Sequence, residues 1–185
     1  MSKIQQSFDQ GEFEYDEWSW TLEHLWIINA IENSDVAELK QLIPMMARPW
    51  MADRFGFTPL HMGVMSCQIE VVEAMIQFGA SVLVNVQTNC GETPLHIAAF
   101  FGPPSICRLL IQTGAISLQN KDGQTPLHFA ASQGQEQCVF ALLETGANPL
   151  DLNHQGKTAS QLTSVDHPRI SMCLRNAELK SISLF

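Results

Sequence analysis

Apolar side chains in the middle of the chain recur at the spacing of a short helix with one hydrophobic face. Between residues 103 and 112, Ile106, Leu109, Leu110 and Ile111 are interrupted by polar positions, so that they fall on one side of a helix. A helix cannot cover such a face by itself. The pattern therefore predicts an amphipathic helix that packs against neighbouring elements.

A separate helix is predicted just before it. Thr93 is a good N-terminal cap, and Pro94 suits the first helical position, where its missing N–H costs nothing. His96 is close enough to turn its imidazole back toward the Thr93 hydroxyl and lock the cap. Gly102 ends this helix in a backbone conformation that suits a residue without Cβ. The two stretches together predict a helix-turn-helix unit.

This unit occurs three times. The tetrapeptide Thr-Pro-Leu-His begins at Thr58, Thr93 and Thr125, and a Gly-Ala pair follows each Thr by 21 residues. Successive Thr residues are 35 and then 32 residues apart, which indicates a rigid unit joined by adjustable loops. Each unit has an apolar face that it cannot bury alone, so neighbouring units must supply the core.

Self-similarity at about 33 residues, with a T-P-L-H-x-A motif, resembles the ankyrin-repeat family. The resemblance implies an all-α fold, an ankyrin-repeat solenoid of stacked helix-turn-helix units with β-hairpin-like fingers. It covers residues 22–176, with three clear units and a degenerate unit at each end. An acidic, aromatic N-terminal segment, residues 1–21, and a C-terminal tail, residues 177–185, lie outside it.

The degenerate units keep only part of the pattern. Residues 25–43 lack the Thr-Pro start, but Ala30 matches the first alanine of the clear units, and Ser34 with Asp35 predicts a cap for a second helix. Near the other end, Thr158 begins a fourth copy in which Ala and Ser replace Pro and Leu.

The first clear unit departs most from the other two. Gly63 replaces an alanine, and Cys67 stands where Gly134 stands in the third unit, which predicts a strained or rebuilt turn. The segment from its Gly-Ala pair to the next Thr runs 14 residues, against 11 and 12 in the following units. Within it, residues 81–87 alternate Val with other residues, which predicts an extended hairpin arm.

Negative charge is concentrated at the N-terminus. Residues 1–38 carry nine acids against Lys3, a net of −8 out of −9 for the chain. The sequence has no basic stripe that would indicate a nucleic-acid surface, and no run of about 18 apolar residues that would indicate a membrane span. Residues 13–20 interleave acids with aromatics. Two interpretations stay open: a solvated tail whose Trp18 and Trp20 pack over the first unit, or a linear motif that docks on a basic, hydrophobic groove.

The five cysteines form no C-x-x-C pair. Cys107 and Cys138 occupy second-helix positions that hold Val or Leu elsewhere, so we expect them to act as small core hydrophobes in a reducing compartment. Cys67 and Cys90 fall on loops and are predicted to be exposed. These features favour a single soluble array in the cytoplasm or the nucleus.

The histidines do not form a site for catalysis or metal. His61, His96 and His128 recur once per unit, and stacking would place them about 10 Å apart, whereas zinc needs nitrogens each about 2.0–2.1 Å from one ion. His154 and His167 have no Cys or acid at ligand spacing, and there is no phosphate-cradling Gly loop or G-x-S-x-G elbow. The sequence predicts no enzyme, no cofactor and no metal.

The resemblance implies that a protein partner binds the concave groove formed by the fingers and the first helices. Aromatic residues in these usually polar positions suggest either a binding hot spot or one or two side chains that fold under to repair irregular packing. The candidate partner-binding residues are Arg54, Phe55, Phe57, Met65, Glu92, Phe100, Phe101, Gln124, Gln133 and Lys157.

The resulting hypothesis is a non-catalytic, monomeric interaction module, an adaptor or a stoichiometric inhibitor of one protein whose identity the sequence does not give. One alternative is that the array presents the acidic, aromatic N-terminal segment as the working part. Another is a substrate-recruiting subunit of an enzyme complex.

Overall fold

The computed structural model describes residues 22–45, 52–101 and 103–183, and the N-terminal segment of residues 1–21 lies outside this part. The described part contains ten α-helices and one 3₁₀ helix, Ala80–Leu83. The α-helices are α1 Leu22–Glu32, α2 Val36–Met45, α3 Pro59–Met65, α4 Ile69–Gln77, α5 Pro94–Phe101, α6 Pro104–Gln112, α7 Pro126–Ser132, α8 Glu136–Glu144, α9 Ala159–Leu162 and α10 Pro168–Ile182.

The helices form five antiparallel pairs stacked in two layers. The first helices of the pairs, α1, α3, α5, α7 and α9, pack in sequence against one another, and the second helices, α2, α4, α6, α8 and α10, do the same. Each first helix also packs against the second helix of its own pair. This arrangement confirms the predicted solenoid of stacked helix-turn-helix units.

The hydrophobic core runs continuously between the two layers. Leu110 of α6 and Leu142 of α8 lie fully inside it, as the apolar pattern predicted. Cys107 and Cys138 are also buried in this core, whereas Cys67 and Cys90 are exposed, and both expectations are confirmed. No helix among the described residues is long and apolar enough to cross a membrane.

The fingers between units end in tight hairpin-like turns. In the second unit, the Thr88 N–H donates to the Glu92 carbonyl (2.8 Å) and the Gly91 N–H donates to the Thr88 carbonyl (2.8 Å). Gly91 has a φ of 83°, a conformation that favours glycine. Neighbouring turns are joined, because the Asn89 N–H donates to the Phe55 carbonyl (2.8 Å). At the next two junctions between units, the Lys121 N–H donates to the Cys90 carbonyl and the His154 N–H donates to the Asp122 carbonyl, each at 2.9 Å. We call each junction between two neighbouring units a seam.

The long finger of the first unit does not form the predicted extended arm. The chain enters the 3₁₀ helix directly after Gly79, and Val84 keeps a helical backbone. Val82 is exposed while Leu83 and Val84 are both buried, so the Val alternation does not mark two faces of a strand. The prediction of an extended arm at residues 81–87 is therefore wrong, because the additional residues are taken up by a helical turn that buries two consecutive apolar side chains.

The turn between α3 and α4 contains the predicted strain. Cys67 has a φ of 58°, in the left-handed region, and Gly134 at the equivalent place in the third unit has a φ of 74°. The third equivalent residue, Gly102, lies outside the described residues.

The degenerate units at the two ends keep some of the capping bonds of the repeat. The Asp35 carboxylate accepts a hydrogen bond from the Glu38 N–H (2.8 Å), which confirms the predicted cap of α2. At the other end, the Thr158 N–H donates to the Gln161 side-chain oxygen (3.0 Å), so that Gln161 takes the place of the histidine of the clear units. The last helix, α10, continues past residue 176 to Ile182.

Candidate functional site

Each clear unit fixes the start of its first helix with a histidine. In the second unit, the Thr93 N–H donates to Nδ1 of His96 (3.0 Å), and the Thr93 hydroxyl oxygen lies 2.9 Å from the same nitrogen. A backbone N–H can only donate, so Nδ1 carries no proton and the ring proton is on Nε2. Nε2 therefore donates to the Gln124 carbonyl (3.1 Å) in the next finger. His96 thus caps its own helix and holds the next unit.

The same pair of bonds is present in the other two clear units. Nε2 of His61 donates to the Glu92 carbonyl (3.2 Å), and Nε2 of His128 donates to the Lys157 carbonyl (3.1 Å). Burial lowers the pKa of His61 and of His96 to about 4, and it also lowers the pKa of His128. The predicted capping role is confirmed, whereas the bond to the next finger was not predicted.

A side-chain oxygen organises every finger from within. The Asn120 Oδ1 accepts hydrogen bonds from the N–H groups of Asp122 (3.0 Å) and Gln124 (2.9 Å). Asp53, Thr88 and Asn153 accept bonds from the N–H groups two and four residues further on in the same way. Sequence reasoning missed this feature, although the signal was present. An oxygen-bearing residue stands five positions before each Thr of the pattern.

These bonds fix the finger backbone while leaving three positions of each finger free to vary. We call the side chains at these positions the finger surface. They are the second, third and fifth residues of each turn, counted from the residue whose side-chain oxygen accepts the two bonds. The second position is exposed in all four fingers, where it holds Arg54, Asn89, Lys121 and His154.

The structure separates the ten predicted partner-binding residues by exposure. Four of them, Arg54, Phe55, Gln133 and Lys157, are exposed, and all except Gln133 belong to the finger surface. The remaining six are half-buried: Phe57, Met65, Glu92, Phe100, Phe101 and Gln124.

The aromatic candidates differ in what they contact. Phe55 is 52% exposed, and the Arg54 guanidinium lies 4.8 Å from the centre of its ring. Phe57 instead packs edge-to-face on His61, with ring centres 5.7 Å apart. Phe55 is therefore free to contact another molecule, whereas Phe57 supports the histidine that holds the seam.

Phe100 and Phe101, at the end of α5, belong to an aromatic cluster. Their rings lie 5.1 Å apart, and Phe100 also contacts Phe129 of α7 at 5.9 Å. Phe129 in turn packs on His96 at 5.4 Å. Phe101 packs against the hydrophobic core. Phe129 was missed, although it follows a T-P-L-H motif at a position that is apolar in every clear unit.

Of the four aromatic candidates, only Phe55 thus has the exposure that the hot-spot interpretation needs. Phe57, Phe100 and Phe101 are half-buried because each one lies against a neighbouring ring or the core. The second interpretation, in which some aromatics repair irregular packing, describes them better.

Two acidic side chains give the middle of the finger surface a negative character. Glu92 is half-buried, and burial raises the pKa of its carboxyl. The charge of Asp122, in the next finger, raises that pKa further. Lys121 and Lys157 are exposed on the neighbouring positions. Among residues 22–45, 52–101 and 103–183, no group of three or more His, Cys, Asp or Glu side chains could hold a metal ion.

Two models of one family match the chain. A model of three ankyrin repeats covers residues 81–155, and a model of a single ankyrin repeat covers residues 55–84. The chain belongs to the ankyrin-repeat family. Ankyrin repeats are typically protein-binding modules, and the family is generally non-catalytic.

Similarity to individual proteins is confined to part of the array. Proteins named protein phosphatase 1 regulatory subunit 27, from Homo sapiens and Mus musculus, are each 40% identical over 60 residues, which cover 32% of this chain and 38% of theirs. The B-cell lymphoma 3 protein of Homo sapiens is 37% identical over 67 residues, 35% of this chain and 14% of that protein. The matched segments thus span well under half of each relative.

Proposed function

We propose that this chain is a non-catalytic interaction module, an adaptor or a stoichiometric inhibitor, that binds one protein through the finger surface and the adjoining first helices. In the ankyrin-repeat family this is the concave side of the solenoid. The observation that carries the proposal is the contrast within each finger. The backbone is held by bonds that repeat in every clear unit, while the outward side chains differ from unit to unit.

A surface held in this way favours binding. The turn oxygens, the histidines and the bonds between fingers all order the backbone before a partner arrives, as at Asn120 and His96. A partner therefore loses little free energy in ordering the loops of this chain. Side chains that vary on a fixed frame supply specificity, because each finger can present a different group at the same place.

The outward groups form three zones along the array. Phe55, with the Arg54 guanidinium against its ring, offers an exposed aromatic anchor at the first finger. Aromatic and Arg side chains are the commonest anchors in protein interfaces. Glu92 and Asp122 follow with negative charge, next to the exposed Lys121, and Lys157 ends the series with positive charge. A complementary partner presents an apolar pocket for Phe55 and opposite charges further along.

The other parts of the proposal follow from the family and the composition. The chain acts as a monomer in the cytoplasm or the nucleus, without a cofactor, and binds neither nucleic acid nor membrane. The chain has few basic residues for phosphate contacts, 10 Lys and Arg against 19 acids.

The proposal is tested by capture of partners with matched baits. One bait is the full chain, and the second carries Arg54→Ala and Phe55→Ala, two exposed side chains whose loss leaves the core intact. A third carries Met172→Ala, an exposed apolar residue of α10 on another part of the surface. Quantitative mass spectrometry should find one protein that is retained by the first and third baits and depleted on the second.

Equal retention on all three baits contradicts binding through the finger surface. A fourth bait that lacks residues 1–17 then separates the main alternative. Loss of the partner on this bait alone assigns the binding to the acidic, aromatic N-terminal segment.

A second candidate function is a recruiting or regulatory subunit of an enzyme complex. The observation that favours it is the 40% identity over 60 residues to proteins named as regulatory subunits of protein phosphatase 1. Direct titration of the purified chain with the catalytic subunit of protein phosphatase 1 tests this candidate. Binding in the micromolar range or tighter would support it, and absence of binding at about 100 µM would reject it.

A further inference from the structure

The N-terminal segment, residues 1–21, joins the array beside the first finger. It leads into α1, which begins at Leu22 and packs against α3. α3 begins at Pro59, directly after the turn of the first finger. The first helices of stacked units run in the same direction, so α1 and α3 begin at the same edge of the stack, about 8–10 Å apart. The segment therefore enters the array about one helix spacing from Arg54 and Phe55.

The first finger presents positive charge at this edge. Arg54 is exposed. The Asp53 carboxylate is engaged within the turn, because its Oδ1 accepts hydrogen bonds from the N–H groups of Phe55 (2.9 Å) and Phe57 (2.7 Å). The finger nearest to the segment thus offers a cation without an exposed acid.

The charge of the segment is complementary to this finger. Residues 1–21 hold five acids against one lysine, a net of −4. Further along, the finger surface carries the exposed Lys121 and Lys157, and its acids are Asp122 and the half-buried Glu92. The Debye length at 0.1 M salt is about 10 Å, close to one helix spacing. The acids of the segment therefore act most strongly on the first finger, where no acid opposes them.

The aromatic side chains of the segment match the other half of this finger. Phe55 is 52% exposed, and the Arg54 guanidinium lies 4.8 Å from the centre of its ring. Residues 13–18 interleave aromatic and acidic side chains, so one short stretch carries both a ring and a carboxylate. A guanidinium donates charge-assisted hydrogen bonds to carboxylates, and aromatic rings pair with one another edge-to-face or offset. Arg54 and Phe55 can thus be contacted together by this stretch.

The segment is long enough to reach these groups within its own chain. An extended chain spans about 3.3–3.6 Å per residue, so the four steps from Trp18 to Leu22 cover about 13–14 Å. This exceeds the spacing of about 8–10 Å between α1 and α3. The thirteen steps from Asp9 to Leu22 cover about 43–47 Å, enough to pass four fingers at the same spacing.

We propose that residues 9–20 fold back over the finger surface of their own chain, beginning at Arg54 and Phe55, so that a partner has to displace them. The competition rests on the proposed function, because segment and partner would occupy the same side chains. Tethering makes even a weak contact effective, since a short flexible linker holds its ligand at a local concentration in the millimolar range. A contact with an intrinsic dissociation constant of about 1 mM is then formed in roughly half of the molecules.

The docked segment sets a threshold for partners. The apparent affinity for a partner falls in proportion to the fraction of molecules whose finger surface is uncovered. Coverage of half of the molecules weakens binding about twofold, and coverage of nine in ten weakens it about tenfold. A protein that only attracts the finger surface weakly is thereby excluded, whereas one with a close fit displaces the segment.

The test places a nitroxide on Cys90, an exposed residue at the third position of the second finger. Cys67→Ser and Cys173→Ser leave it as the only accessible thiol, since the other two cysteines are buried. In the isotope-labelled full chain, the nitroxide should weaken the amide resonances of residues 9–20, relative to the same sample after reduction with ascorbate. The resonances of residues 178–182, at the end of α10, should keep their intensity.

Salt provides a check on the origin of the contact. Raising the salt from about 0.1 M to about 1 M shortens the Debye length from about 10 Å to about 3 Å. The weakened resonances should then recover part of their intensity, because the attraction between the acids and Arg54 is screened.

Matched variants remove three negative charges from different places. One variant neutralises three acids of the segment: Glu14→Gln, Asp16→Asn and Glu17→Gln. The control neutralises three exposed acids of α4 and α8: Glu70→Gln, Glu73→Gln and Glu144→Gln. The first should restore the resonances of the segment, whereas the control should leave them weakened. Arg54→Ala with Phe55→Ala should act like the first variant, and all three chains should keep the helical circular dichroism of the parent.

Three results would overturn the proposal. The first is that residues 9–20 keep full intensity beside the nitroxide, and the second is that the two charge variants behave alike. The third is weakening in a mixture of isotope-labelled chain without nitroxide and unlabelled chain that carries it, because the contact would then join two molecules. No partner takes part in these measurements. Their failure therefore rejects the docking of the segment without touching the proposed binding of a partner, and failure of the capture experiment would leave the docking intact.

Discussion

The first clear unit and the two units that follow it share one set of backbone bonds but fill their cores differently. The second unit places Ala98 on α5 opposite a fully buried Leu110 on α6. The first unit has Gly63 and Met75 at the same two positions. A Cβ on Gly63 would lie 2.6 Å from the Met75 sulfur, so the longer side chain occupies the space that the glycine leaves.

The turns of the first unit also differ from those of the later units. The first unit carries Cys67 in a left-handed conformation that Gly134 adopts in the third unit, and its long finger contains a 3₁₀ helix. Its His61 and Asp53 nevertheless make the same bonds as their counterparts in the later units. The comparison teaches that the bonds between units define the repeat, whereas the core and the turns tolerate exchange.

The largest effect is expected from truncation of the core of a regular unit. Leu110→Ala should lower the free energy of unfolding by about 2–5 kcal/mol, because a fully buried leucine leaves a cavity that its surroundings fill only in part. Met75→Ala should cost at least as much as Leu110→Ala, since Met75 also fills the space that Gly63 leaves and its truncation opens both. Urea denaturation followed by circular dichroism gives both values. An unchanged midpoint for Leu110→Ala would contradict the placement of Leu110 on the buried face of α6.

Acid should weaken the bonds that the two regions share. His61 and His96 have a pKa of about 4 in the folded chain and an ordinary pKa of about 6.5 when unfolded. Between these values the unfolded chain binds protons that the folded chain excludes. The contribution of these histidines to the free energy of unfolding is therefore fully present above pH 6.5. It falls toward pH 4 by up to about 1.4 kcal/mol per pH unit for each histidine.

The control variant for the acid prediction replaces a histidine by glutamine. The last unit shows that this is possible, since Gln161 takes the place of the histidine there. His96→Gln should keep the bond to the Thr93 N–H without titrating. Its stability, measured by urea denaturation between pH 4 and pH 7, should fall less steeply than that of the parent. Equal slopes would exclude His96 as a source of the acid sensitivity.

The strained turn of the first unit should be improved by the residue of the third. Cys67→Gly should raise the free energy of unfolding by up to about 1 kcal/mol, because glycine adopts the left-handed conformation without a Cβ clash. The gain is reduced by the greater freedom of glycine in the unfolded chain. Thermal denaturation measures the change, and a lower melting temperature would show that Cys67 makes a contact worth more than the strain.

The smallest effect is expected from exchanging the core pair of the first unit for that of the second. Gly63→Ala alone adds a helix-favouring residue but crowds the Met75 sulfur. Gly63→Ala with Met75→Leu should be more stable than Gly63→Ala alone, by roughly 1 kcal/mol or less. A double-mutant cycle measures this coupling. Additive effects would show that the two positions are independent.

Much of this fold could be predicted from the sequence because the repeat signals are local. Thr93, Pro94 and His96 lie within four residues of one another, so their cap follows from short-range chemistry. The Leu110 register follows from helical spacing in the same way. The polar cap of α2 at Asp35 was also predictable, since it needs only a residue three positions further on.

The remaining features depend on contacts between units. The bond from His96 to the Gln124 carbonyl joins residues 28 positions apart, and no local pattern reveals it. Phe100 is half-buried because it packs on Phe129 of the next unit. The exposure expected from its usually polar repeat position was therefore wrong. The 3₁₀ helix of the first finger was missed because Leu83 and Val84 are both buried, which breaks the alternation that a strand would need.

The central claim is that the regular bonds hold a surface whose variable side chains bind a protein. Once a captured partner is identified, the most direct test is its dissociation constant for three chains: the parent, Arg54→Ala with Phe55→Ala, and Met172→Ala. The account predicts about 5–30-fold weaker binding for the finger-surface variant and a change of less than about twofold for Met172→Ala. Unchanged binding by the finger-surface variant, together with loss of binding when residues 1–17 are removed, would contradict it.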